Sequence, residues 1–99
     1  MTNKKQPFAV EHIREFGDGS CLLKAVNIKP GFTTGDLIDY VLTRNGEAGY
    51  IHPANNTNPV LRAEYSNGKL LNPFIIPNRE IKRLEIYGGY HRWDYIFEI

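Results

Sequence analysis

The 99-residue chain has one cysteine, one methionine, one tryptophan and no long apolar run. The single thiol, Cys21, excludes an intrachain disulfide and any zinc site built on paired cysteines. No stretch approaches the roughly 18 consecutive apolar residues of a membrane-spanning helix. Residues 1–7 carry Lys4 and Lys5, but no apolar segment follows, so they do not read as a secretory signal and are expected to fray. An excess of one charge is also lacking. Twelve Lys and Arg face eleven Asp and Glu, for a formal net charge of +1. Residues 1–49 hold six charges of each sign, and residues 50–99 hold six positive and five negative. This even spread leaves no polybasic arm and no acidic tail. The absences together point to a cytoplasmic chain without a membrane segment.

At 41% hydrophobic and 23% charged, the composition is that of a globular protein, and its length fits a single domain over residues 1–99. Asn45-Gly46 and Asn67-Gly68 each lie between runs rich in β-branched and aromatic residues, the strongest short-range hairpin signal. Gly17-Asp18-Gly19-Ser20 marks a third turn. Candidate strands are 9–16, 21–28, 37–44, 47–52, 60–66, 69–76, 83–87 and 92–98. A two-residue loop at Asn67-Gly68 sets Ser66 against Lys69, Tyr65 against Leu70 and Ala63 against Asn72. The same logic at Asn45-Gly46 sets Arg44 against Glu47, Val41 against Tyr50 and Asp39 against His52. At the C-terminus Trp93, Tyr95, Phe97 and Ile99 alternate with polar positions, as a half-buried strand does.

The fold expectation is therefore mainly β: a small antiparallel barrel or sandwich of six to eight short strands, with one short helical turn near 78–83. A helical turn before a closing strand, with Gly35-Asp36-Leu37 and Gly46-Glu47 as loop residues, resembles the rhythm of SH3-like barrels without a diagnostic motif. Fold analogy of this kind licenses no function. The alternative is α+β, with a helix at 34–44 and a further one at 7–16. Thr34 would cap the former, and Leu37, Ile38, Val41 and Leu42 would form its apolar stripe. Pro7 would open the latter.

Candidate binding residues cluster in two places. Tyr87, Tyr90, His91 and Arg92 flank Gly88-Gly89 and are not needed for the aromatic stripe, so they form a hairpin tip of residue types enriched at interfaces. His52, Asn55 and Asn56 belong to a polar Asn/Pro loop, and such loops carry function more often than strands do. Arg79, Lys82 and Arg83 fall at i, i+3, i+4, so a helical turn would gather them into a nucleic-acid patch, although Glu80 and Glu85 interleave it. The histidines His12, His52 and His91 are about forty residues apart and lack clustered carboxylates, so no metal site is expected. No nucleophile elbow, P-loop or His-Glu-x-x-His occurs, so neither a catalytic constellation nor a cofactor is expected.

By subtraction, the sequence reads as a non-catalytic binding module acting through protein–protein contacts, with a separate partner or by self-association. A small accessory protein of a bacterium, phage or mobile element fits this description. A nucleic-acid-binding β-barrel and a small ribonuclease-type toxin are the alternatives.

Overall fold

The computed structural model describes residues 7–54, 61–72 and 76–99. Its strands are β1 (Ala9–Glu15), β2 (Cys21–Val26), β3 (Ala48–Pro53), β4 (Ala63–Ser66), β5 (Lys69–Asn72), β6 (Arg83–Gly89) and β7 (Arg92–Glu98), with one helix, α1 (Thr34–Leu42). All seven strands share one sheet in the order β1-β2-β6-β7-β3-β4-β5. The mainly β expectation holds, in the form of an open sheet whose edges are β1 and β5. The expected fraying of residues 1–7 falls largely outside the described residues.

The C-terminal hairpin β6–β7 is inserted at the centre of the sheet, between β2 and β3. Only β3 and β7 run parallel, and every other pair is antiparallel. This position explains why the C-terminal alternation is so marked. Leu84, Ile86, Tyr95 and Phe97 point to one face at no more than 4% exposure, joined there by Ile51, Ala63 and Tyr65 from β3 and β4. The alternate residues Arg83, Glu85 and Tyr87 face outward.

Helix α1 covers part of the apolar face, and residues 34–42 thereby overturn the strand expected at 37–44. A strand there would place Leu37, Asp39 and Val41 on one side and Ile38, Tyr40 and Leu42 on the other, with no clean division of polar from apolar. A helix instead puts Leu37 and Val41 on one stripe, both at 0% exposure, each contributing about 2 kcal/mol by burial. The cap is Thr33 rather than Thr34. Thr33 Oγ1 accepts from the Asp36 amide at 3.2 Å, and the Asp36 carboxylate accepts from the Thr33 amide at 3.0 Å, a reciprocal capping box. Thr34, buried, donates its hydroxyl to the Pro77 carbonyl at 2.6 Å.

The Asn45-Gly46 hairpin is consequently absent. These residues leave the helix, and the Gly46 amide donates to Asn67 Oδ1 at 2.9 Å, so one Asn-Gly turn braces the other. Asn67-Gly68 is the hairpin expected, with φ of 49° and 83° at its two residues. Its register begins as read, Ser66 with Lys69 and Tyr65 with Leu70. A bulge then pairs Asn72 with Glu64 in place of Ala63. Residues 7–16 form no helix, because 9–15 is strand β1. No helical turn forms at 78–83 either: Glu80 makes an isolated bridge to Thr33, and β6 begins at Arg83.

Candidate functional site

Strand β1 is bonded to the sheet on one side only, and β2 is its only strand partner among the described residues. All seven of its side chains are exposed, with Val10 at 53% and Ile13 at 48% exposure. A bulge divides the strand. His12 pairs with Leu23 and Arg14 with Leu22, leaving Ile13 as the extra residue. Because partners across a ladder share a face, Val10 and His12 lie on the core-side face, with Ala25 and Leu23. Glu11 and Arg14 lie together on the opposite face, with Lys24 and Leu22. Three residues apart, they would sit on opposite faces of a regular strand, and the bulge brings them to one.

At its C-terminal end, β1 runs into the hairpin tip. The Arg14 guanidinium stands 5.5 Å from the Phe16 ring centre, and Phe16 packs on Tyr87 at 5.4 Å. The turn after Phe16 is held by Asp18, which accepts from both the amide and the hydroxyl of Ser20. The serine hydroxyl is the chief reason the Asp18 carboxyl lies below its usual range. The Tyr90 hydroxyl reaches the Asp18 carbonyl at 3.5 Å. A shallow hollow of about 260 Å³ is lined by Asp18, Ser20, Tyr87, Tyr90, Arg92 and Asp94, among others.

A second cavity, of about 320 Å³, lies on the core side between α1 and the strands. Leu23, Ile86, Trp93 and Tyr95 line it from the sheet, Phe8 and Val10 from the β1 side, and Tyr40 and Arg44 from the helical side. Its polar wall is Glu47, whose Oε2 accepts from Arg44 Nε at 3.3 Å and whose Oε1 lies 3.4 Å from the Tyr95 hydroxyl and 3.5 Å from that of Tyr65. Burial first, and then neighbouring phenols and carboxylates, push both tyrosine hydroxyls far above their usual ionisation range. Burial disfavours the Arg44 charge, but Tyr40, Glu47 and Tyr95 outweigh it and hold the guanidinium above its ordinary value. Both phenols thus stay protonated at neutral pH and offer no base.

One break in the sheet depends on this cluster. The β3–β7 ladder pairs Ala48 with Arg92 and Ile51 with Tyr95, but has no pair at Gly49 or Tyr50. Side chains fill the gap: Tyr65 donates its hydroxyl to the Trp93 carbonyl at 2.7 Å, and Asp94 Oδ1 accepts from the Tyr50 amide at 2.9 Å. A Cβ at position 49 would lie 2.0 Å from the Trp93 oxygen, so this approach requires glycine.

Of the residues singled out from the sequence, four do come together at the tip. The turn itself is Tyr90-His91 rather than Gly88-Gly89. Tyr90 is 80% exposed in a left-handed conformation, with φ of 56°. His91 is exposed, and its carbonyl accepts from the Ala48 amide at 2.9 Å. Arg92 stacks on Tyr50 at 5.1 Å and lies 3.5 Å from Asp94, while Arg62 stacks on the same ring at 4.5 Å. His52, on β3, is half-buried, with Nδ1 3.2 Å from the Pro53 carbonyl. The pairing expected for it fails because Asp39 lies on α1. Asn55 and Asn56 lie outside the described residues. Arg79, Lys82 and Arg83 share no helical face. Arg79 is tied to Thr34 through its backbone, and Arg83 pairs with Glu98.

The β1 edge and the cavity escaped the site assignment made from sequence. Val10-Glu11 and Ile13-Arg14, each an apolar residue followed by a charged one and of opposite sign, are the one signal that bears on the edge. Among the described residues, no group of three or more His, Cys, Asp and Glu could hold a metal ion, and no helix is long and apolar enough to cross a membrane. No protein-family model, no curated protein and no solved structure matches the chain.

Proposed function

We propose that the chain is a non-catalytic binding module that acts through protein–protein contacts along the β1 edge, extended by the Tyr87–Arg92 tip. The observation that carries this reading is β1 itself, a seven-residue edge strand with every side chain exposed and, among the described residues, strand pairing on one side only. Natural sheets cover or shorten such edges because the outward amides and carbonyls template a further strand. Here the opposite edge, β5, has four residues, while β1 keeps its length. A partner strand added to β1 gains main-chain hydrogen bonds, with Val10 and Ile13 selecting its apolar positions. The Phe16–Tyr87 pair and Tyr90 supply an aromatic rim where β1 ends. In this reading the chain works in the cytoplasm as a small accessory protein.

The test is site-specific photocrosslinking in cells. A photoreactive residue in place of Ile13 is expected to give a discrete protein adduct, and one in place of Lys69, on β5, none. Adducts from both sites, from neither, or chiefly with nucleic acid overturn the reading.

A further inference from the structure

We infer that the occupant of the β1 edge is a second copy of this chain, added antiparallel about a two-fold axis through the bulge at His12–Ile13. The inference rests on the reading of β1 as the contact edge and adds the identity and register of what binds there.

The argument is one of faces and charges. In a continuous antiparallel sheet, directly opposed residues share a face. A two-fold axis perpendicular to the sheet pairs residue i of one copy with residue j of the other, and j with i. Without a bulge, i and j must differ by an even number to share a face. The extra residue Ile13 changes that parity across the middle of β1. Pairing Glu11 with Arg14 is then face-consistent, since both lie on the face of Lys24 and Leu22. The two-fold makes this contact twice. The same register sets Val10 opposite Glu15, whose partner Cys21 and next neighbour Gly88 place it on the core-side face with Val10. The same register sets Ile13 of each copy opposite His12 of the other, on either side of the axis. Shifting the register by one residue either way opposes residues of different faces. Shifts that restore the faces on one side of the bulge set Glu11 against Glu11 or Arg14 against Arg14. In the Glu11–Arg14 register the strand is therefore charge-complementary to itself.

A seven-residue edge is small beside the roughly 800 Å² per partner of a standard interface, so the pairing is reversible and concentration-dependent. Sedimentation equilibrium over a concentration series tests it, using the full chain and the substitutions Glu11→Arg and Arg14→Glu. Both side chains are exposed, but Glu11 faces Lys24 and Arg14 stands over Phe16, so a small fall in melting temperature is expected, and an unchanged circular dichroism spectrum serves as the folding control. The unsubstituted chain is expected to dimerise. Each single substitution converts both reciprocal contacts to repulsion and is expected to weaken the dimer about tenfold or more. An equimolar mixture of the two variants is expected to regain affinity as a heterodimer, and the double substitution in one chain to restore the homodimer. A dimer indifferent to the swaps, or single variants that fail to rescue each other, overturns the register. A chain monomeric at millimolar concentration whose Ile13 crosslinks a different protein overturns self-pairing and leaves the β1 contact standing. A monomer without a β1 adduct overturns both.

Discussion

Replacing Tyr65 by phenylalanine removes one oxygen from a side chain at 0% exposure and leaves the ring in place. That oxygen donates to the Trp93 carbonyl at 2.7 Å, at the point where the β3–β7 ladder has no pair. The ladder offers no substitute, and the Gly49 backbone closes on the carbonyl so tightly that a Cβ would stand 2.0 Å away. The variant loses a hydrogen bond worth about 1 kcal/mol net and strands an acceptor whose desolvation costs about 1–3 kcal/mol, so the expected destabilisation is about 2 kcal/mol. For a domain of this size, that corresponds to a fall in melting temperature of roughly 10 °C. Urea unfolding followed by tryptophan fluorescence reads the loss directly, since Trp93 is the only tryptophan. Tyr90→Phe is the control, expected within about 0.5 kcal/mol of the parent because its hydroxyl is solvated. A Tyr65→Phe chain as stable as the parent would refute the claim that this phenol completes the ladder.

Three further outcomes follow from the same geometry. Gly49→Ala forces β3 away from Trp93 and is expected to cost more than about 3 kcal/mol, read as loss of soluble folded protein or of cooperative melting. Thr33→Ala breaks the capping box of α1 and is expected to cost about 1 kcal/mol in chemical denaturation, with the β signal of circular dichroism retained. Stability is expected to be level through neutral pH and to fall above about pH 10, where tyrosines of the unfolded chain ionise. Tyr65 and Tyr95 are raised in the folded state, so their contribution is complete below the unfolded value and is lost as pH climbs toward the folded ones. Absorbance of these two phenolates is expected only together with unfolding.

Much of the strand content was legible because alternation is a local property. The runs read at 21–28, 69–76 and 92–98 contain β2, β5 and β7, Asn67-Gly68 could be read from its tolerance of positive φ, and 9–16 was open between strand and helix. The segment 34–42 was ambiguous because its β-branched residues favour strand while its apolar spacing favours helix. Reciprocal capping by Thr33 and Asp36 and the complete burial of Leu37 and Val41 decided it. The bulges at Ile13 and beside Glu64 depend on the partner strand and leave no mark of their own in the sequence. Strand order was hidden for a similar reason: inserting β6–β7 between β2 and β3 sets partners more than forty residues apart in parallel register. Being an edge is a property of that order, so β1 could be read as a strand and not as the exposed border of a sheet. The tip residues Tyr87 to Arg92 were legible because a turn is local. The cavity was not, since it draws on α1, four strands and the residues that flank them.

Residue-resolved amide hydrogen exchange over a concentration series tests the β1 contact most directly. The β1 amides that do not bond to β2 exchange rapidly in a lone chain, because nothing protects an unpaired edge. Raising the concentration is expected to slow these amides selectively, while those of β5 and of the Tyr90-His91 turn keep their rates. Unchanged β1 rates, or protection that appears first along β5, would contradict β1 as the edge through which this chain pairs with its own copy.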